Sequence, residues 1–239
     1  MNQKFCVGLV EKFLGRSLSK EDMELAEKNL DLQWYSSNQT DFSIYGNNET
    51  LPWLARHQQR ALAYIKNLSK FLEANPQYSK NTIYEEGAGL GFISLYLAQK
   101  FPDSKIIASN FAGVQFDFCR FLHSQYPLPN LHFVEEGQRT KADILIAFEV
   151  FEHLKNPLEF FYLLEKNIDP NIIVDSSSFS VPSPGHFSEY QFGDKIVTGY
   201  PHKTAARLFY KDIKQRFNSA PVKFWNNRPR VWIKKEIEG

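Results

Sequence analysis

The 239-residue sequence predicts an α/β protein: a mostly parallel sheet of about seven strands with helices on both faces, an antiparallel last strand and a helical N-terminal extension. Three observations predict it. From residue 82 onward short apolar runs alternate with helical stretches, and parallel neighbours need crossover connections that helices fill best. A glycine-rich turn, Glu85-Glu86-Gly87-Ala88-Gly89-Leu90-Gly91, joins the first of these runs to the helix after it. The last two runs are separated by the tight link Asn227-Arg228-Pro229, as in a hairpin that closes a sheet edge.

Residues 1–75 read as the helical extension or cap, and residues 76–239 as the α/β domain. In the extension, Ser19 with Asp22 has the spacing of a capping box, and Met23, Ala26 and Leu30 follow at helical intervals. Residues 36–50 lose that periodicity and collect Ser, Asn, Gly and Thr around Phe42 and Tyr45, which marks a loop. A second long helix is expected from Pro52 to Glu73, ended by Asn75-Pro76.

Strands are then expected at 82–85, 105–109, 131–134, 142–148 and 171–175, with helices at 92–100, 114–124 and 157–167. The helix at 157 is the best marked, because Asn156 can cap it, Pro157 suits the first helical position and Glu159 completes the box. Residues 176–201 read as a long loop rich in Ser, Pro and Gly that carries Phe179, His186, Phe187, Tyr190 and Phe192. Connections of that length in a compact domain are usually functional. A last helix with Ala205, Leu208, Phe209 and Phe217 on one face precedes strands at 222–226 and 230–234.

Composition narrows the function. A net charge of +1 argues against a protein whose main task is binding nucleic acid. Charge is uneven, with ten Lys/Arg against three acids in residues 201–239, so a basic C-terminal face could attract an anionic substrate or be a solvated surface. No apolar run approaches the roughly 18 residues of a membrane span and no signal-peptide pattern opens the chain, so a cytoplasmic protein is expected. Cys6 and Cys119 stand apart from each other and from histidines, and no HExxH or dense Asp/His cluster appears, so no metal site is expected. Phe at 21 and Tyr at 11 fit a Phe-rich core, an aromatic-lined pocket, or both.

The spacing of the glycine turn decides what it holds. Glycines at 87, 89 and 91 allow backbone angles and close approaches that a Cβ blocks, and the following helix presents free N–H groups. A dinucleotide fingerprint needs its third glycine at 92, where the residue is Phe92, which counts against a nicotinamide oxidoreductase. The pattern E-x-G-x-G-x-G resembles the first motif of the class I S-adenosylmethionine-dependent methyltransferases. A second stretch, Ala142 to Phe148 running into Glu149-Val150-Phe151-Glu152-His153-Leu154, looks like that family's fourth strand and its exit. The resemblance covers about residues 80–180 and implies a Rossmann-like sheet of seven strands, S-adenosyl-L-methionine as cofactor and methyl transfer as the reaction.

Position by position, the resemblance implies that Glu85 orients the methionine end of the cofactor and that Gly87, Ala88 and Gly89 run beneath it. Phe148 and Glu149, at the exit of the fourth strand, are expected to bind the cofactor as well. The family's second strand ends in an acid that accepts the ribose hydroxyls; this chain has Asn110 there, a weaker acceptor. Phe111 is expected beside adenine and Glu136 near its exocyclic amine. For an acceptor hydroxyl or ammonium, His153 and His186 are the candidate bases, with His202 as an alternative to His186, although His153 also suits a structural anchor. Tyr45, Trp53, Phe187 and Tyr190 are candidate acceptor walls, with core packing as the alternative for the first two. The expected acceptor is a small molecule, by O- or N-methylation ahead of C-methylation. RNA or protein methylation and a noncatalytic cofactor-binding subunit are the alternatives.

Overall fold

Runs such as Ile83-Tyr84 and Ile144-Leu145-Ile146 place apolar side chains on both faces of the chain, and strands of that kind survive only when both faces are covered. They form the centre of a sheet in the computed structural model, which describes residues 3–36, 45–78, 80–220 and 229–236. The parallel strands are β1 (Thr82–Glu85), β2 (Lys105–Asn110), β3 (Leu131–Glu135), β4 (Ile144–Phe148) and β5 (Ile172–Ser176). A separate antiparallel pair, β6 (Glu189–Phe192) and β7 (Lys195–Thr198), precedes β8 (Phe217–Ser219) and β9 (Arg230–Lys234). The large sheet has seven strands in the order β3-β2-β1-β4-β5-β9-β8, with β9 antiparallel to both neighbours.

Seven α-helices are described: α1 (Gln3–Leu14), α2 (Lys20–Ser36), α3 (Leu51–Ala74), α4 (Phe92–Lys100), α5 (Val114–Gln125), α6 (Pro157–Ile168) and α7 (Thr204–Arg216). Every residue of β4 and β5 is buried, so both faces of the sheet are packed. The capping box of α2 forms reciprocally: the Asp22 N–H donates to Ser19 Oγ at 3.1 Å and the Ser19 N–H to Asp22 Oδ2 at 2.7 Å. Asn156 caps α6 through a 3.4 Å bond from the Glu159 N–H.

Helices α1 and α2 pack on α3, and α1 and α3 reach α5 and α4 respectively. Cys6, Val10, Leu30 and Trp34 therefore belong to one continuous apolar core with Ile83 and Ile144. Burial pushes the Cys6 thiol up to about 11 and raises Cys119 further, so both behave as small apolar residues. Much of the aromatic content forms a cluster around Phe209. Its ring lies 4.8 Å from Phe151, 5.1 Å from Phe179, 5.3 Å from Tyr210 and 6.0 Å from Phe161.

Three expectations change. Phe217 does not extend the last helical face; it opens β8 and pairs with Lys234. The long segment 176–201 is not all loop, because β6 and β7 form a hairpin in it around Gly193-Asp194, with Gly193 at φ +60°. Alternation in β6 turns Tyr190 and Phe192 into the core. The strand expected at 222–226, the link residues 227–228 and Phe42 lie outside the described residues. No helix among the described residues is long and apolar enough to cross a membrane.

The chain leaves β3 and crosses to the far side of β1 to form β4. Connections from β1 and β4 diverge there, which opens a crevice at the carboxyl ends of the two strands, the position where open α/β sheets bind ligands.

Candidate active site

The turn after β1 lies at that crevice. Gly87, Gly89 and Gly91 have φ of +69°, +57° and +72°, the left-handed region in which a Cβ is strained. Space is short as well: a Cβ on Gly87 would stand 2.8 Å from a Val150 methyl, and one on Gly89 would run into the Gln58 amide. Ala88 braces the turn from behind, since its N–H donates to the Ser109 carbonyl at 2.9 Å and its carbonyl accepts from Gln58 Nε2 at 3.1 Å. Ala88 itself does not line the cavity.

Two carboxyls flank the turn. Glu85 is buried and accepts from the Ser94 hydroxyl; burial raises it to about 7 against that bond. Glu86 is raised to about 7 by burial, with Arg139 acting in the opposite direction from 3.7 Å. Glu136 is exposed, pairs with Arg139 at 3.8 Å and does not line the cavity, whereas Glu86 does.

Asn110 is buried at the end of β2, and it is already engaged. Its Nδ2 donates to the Gly89 carbonyl at 2.6 Å, and its Oδ1 accepts the Phe111 N–H at 3.0 Å. The residue thus ties β2 to the glycine turn, and only the remaining lone pair on Oδ1 is left for a ligand hydroxyl. Asn110→Asp, which strengthens ribose binding if the contact is with a ligand alone, here removes a donor and sets a carboxylate against a carbonyl. We expect a loss of about 1–3 kcal/mol in urea unfolding. Unchanged stability would mean the bond to Gly89 is dispensable.

The crevice widens into a cavity of about 940 Å³. Its floor is Glu85, Gly87, Gly89, Asn110, Phe148 and Glu149 at the strand ends. The roof comes from the extension: Trp53, His57, Gln58 and Tyr64 of α3, with Asp31 and Tyr35 of α2. Phe111 lies at the lip, half exposed.

At the far end Tyr45, Trp53 and His57 stack in sequence, with centroids 6.0 and 3.9 Å apart. The Tyr45 hydroxyl donates to the Pro184 carbonyl at 2.6 Å, and burial holds the phenol protonated. Phe187 and Tyr190 do not join this wall. Phe187 packs on Trp34 beneath Lys155, and Tyr190 is fully buried with its hydroxyl donating to the Glu152 carbonyl at 2.9 Å.

His153 and His186 do meet, with ring centroids 4.7 Å apart, and both line the cavity. His153 follows β4 in a short 3₁₀ turn, Phe151–His153. His186 comes from the segment before β6. Its Nδ1 lies 2.6 Å from the Val181 carbonyl. Burial and the neighbouring His186 push His153 down to about 3, and burial lowers His186. Glu149 accepts from Ser176 Oγ at 2.9 Å and has a left-handed φ of +54°. Glu152 beside it is fully buried; burial, then the Glu149 carboxyl, raise it well above the usual carboxylate range.

No protein-family model and no curated protein matches the chain. Solved structures do. PigF, solved with S-adenosylhomocysteine, matches with a TM-score of 0.62 at 11% identity, over 90% of this chain and 69% of that one. Magnesium protoporphyrin IX methyltransferase from Synechocystis PCC 6803, also with bound S-adenosylhomocysteine, matches at 0.50 and 15% identity, over 87% and 94% of the two chains. The chain carries the class I methyltransferase fold. A putative sarcosine dimethylglycine methyltransferase from Galdieria sulphuraria matches at 0.39 and 18% identity over 45% of this chain. The match spans less than half of that protein, 44% of its length.

Within this methyltransferase fold the cavity gathers most residues expected from the sequence: Glu85, Gly87, Gly89, Asn110, Phe111, Phe148 and Glu149 on one side, and Tyr45, Trp53, His153 and His186 on the other. Ala88, Glu136, Phe187 and Tyr190 stand outside it. Gln58 and Glu86, which also line the cavity, and Glu152, which is buried outside its lining, carry no expectation from the sequence. Gln58 is a polar residue inside a helix and gives no signal. Glu86 is the neighbour of the motif acid, and Glu152 stands inside the E-V-x-E-H-L stretch, so both were in view without a role.

Proposed function

We propose that the chain is an S-adenosyl-L-methionine-dependent methyltransferase acting on a small-molecule acceptor, by O- or N-methylation ahead of C-methylation. One observation carries the reading: alternate glycines in left-handed backbone conformation end β1 at the switch of strand order and open into a cavity of about 940 Å³. That volume is at the upper end of small-molecule sites and accommodates a nucleoside cofactor with a modest acceptor. The cofactor would supply an electrophilic methyl on a sulfonium, whose carbon–sulfur electrons stay with sulfur as the acceptor bonds to carbon.

The protein's own part is to orient and to exclude water. Gly87 and Gly89 admit the ligand to the backbone. Gln58 Oε1, buried without a partner above Gly89, and Glu85 supply acceptors for the ammonium of an amino-acid end. Phe111 offers its half-exposed ring to adenine. His153 and His186 stand at the acceptor end, walled by Tyr45 and Trp53. Residues 1–75 act as the cap that closes the site over the domain 76–239.

An acceptor with an anionic group is favoured by a second cleft, of about 570 Å³, lined by Lys203, Arg207, Lys211, Lys214 and Arg230. Ser178 lines both spaces. Thermal shifts with S-adenosylmethionine, S-adenosylhomocysteine, NAD and NADP test the cofactor, and labelled methyl transfer into a metabolite extract tests turnover. We expect stabilisation by the two sulfur nucleosides alone, of about 3 kcal/mol at a hundredfold excess over Kd, and label in a small-molecule fraction. Stabilisation by NAD instead would overturn the cofactor reading; binding without any labelled product would leave a noncatalytic subunit.

A further inference from the structure

Glu152, His153 and His186 each offer a ligand atom, and the three atoms lie within 4.8 Å of one another. Two come from the turn after β4 and the third from the segment before β6. Their hydrogen bonding is incomplete in a consistent way. Glu152 is fully buried; Oε1 accepts the Ser178 N–H at 2.7 Å, while Oε2 receives no hydrogen bond from an N–H or hydroxyl and the side chain has the Glu149 carboxyl beside it. Nδ1 of His153 is also buried and makes no well-formed hydrogen bond, with the Gly185 backbone as its neighbour. An unsatisfied buried polar atom costs about 1–3 kcal/mol, and a bound cation would satisfy both of these. His186 differs. Its Nδ1 is committed to the Val181 carbonyl at 2.6 Å, which fixes the proton there and leaves the Nε2 lone pair free. Metal-bound histidines are oriented in this way, with the second ring nitrogen donating to a backbone carbonyl.

We propose that Glu152, His153 and His186 bind one divalent transition-metal ion at the acceptor end of the cavity. Two imidazoles with one carboxylate suit zinc, manganese or iron, whereas magnesium and calcium prefer all-oxygen sets. Bond lengths of about 2.0–2.2 Å place donor atoms about 3–3.5 Å apart, so binding draws the three groups together by roughly an ångström. Gly185 permits that closeness: it has φ of +83°, and a Cβ there would meet the His153 ring and the Tyr45 hydroxyl. His153 and His186 line the cavity and Glu152 does not, and three protein ligands leave a coordination position open, the pattern of a reactive rather than a purely structural ion. An acceptor hydroxyl in an open position would release its proton to solvent more readily. Only that last role depends on the methyltransferase reading; the binding itself does not.

Co²⁺ and Zn²⁺ titrated separately into the EDTA-treated full chain, followed by calorimetry and visible absorption, test the site. We expect one equivalent per chain and cobalt absorption bands. His186→Ala and Glu152→Gln should each weaken binding at least tenfold, while the exposed His202→Ala leaves it unchanged. Circular dichroism and S-adenosylhomocysteine affinity, recorded for each variant, separate loss of the ion from loss of the fold. Absence of saturable binding in the wild type, or equal affinity in folded His186→Ala, overturns the site. A chain that binds cobalt but no nucleoside keeps the site and overturns the cofactor reading.

Discussion

Gly89→Val is expected to reduce S-adenosylhomocysteine affinity at least a hundredfold in calorimetry while leaving the circular dichroism spectrum of the fold. Two costs combine at this position. The backbone is at φ +57°, where a β-branched residue is a steric outlier and costs about 1–3 kcal/mol. The added carbons also meet the Gln58 amide, which donates to Ala88. Relief requires the turn to move or Gln58 to leave, and either removes the surface on which the ligand is to lie. Gly8→Ala is the matching control. It lies exposed in α1 with nothing within 4 Å of a new Cβ, so affinity stays unchanged and stability rises by about 0.5–1 kcal/mol. Full affinity in Gly89→Val would remove the glycine turn from the site.

Phe209→Ala should produce the largest loss of stability, about 3–5 kcal/mol in urea unfolding. The ring is fully buried and touches Phe151, Phe161, Phe179 and Tyr210. At roughly 2–4 °C per kcal/mol for a chain of this size, the melting temperature falls by about 6–20 °C. Phe111→Ala makes the contrast: its half-exposed ring should change stability by no more than about 0.5 kcal/mol. Phe151 and Phe179 adjoin the segments that carry His153 and Ser178, so loss of Phe209 should loosen the acceptor end as well. A drop below 1 kcal/mol would mean that neighbouring rings refill the space.

The parallel core and its glycine turn were legible because their constraints are local. Left-handed turns need glycine at fixed spacing, and buried strands need apolar runs bounded by breakers. Asn156, Pro157 and Glu159 marked α6 for the same reason. The β6–β7 hairpin had a local signal too, in the alternation of Glu189-Tyr190-Gln191-Phe192 before Gly193-Asp194, but the Ser/Pro/Gly content of 176–188 masked it. That same hairpin explains why Tyr190 lies in the core, since period two decides its face. Asn110 shows the opposite limit. Its place at the end of β2 was readable, yet its bond to the Gly89 carbonyl joins residues on different strands and has no trace in either neighbourhood. The approach of His186 to His153 is likewise a product of chain crossing, 33 positions apart, as is Gln58 over the turn.

Gln58 belongs to α3, whereas the carbonyl it holds follows β1. During synthesis the helical segment emerges before any of the sheet exists, and it has no floor to close against until β4 has been threaded beside β1. Ligand affinity should therefore appear late in refolding, after the sheet's own signals, and a ligand present from the outset would reward only chains that have completed that docking.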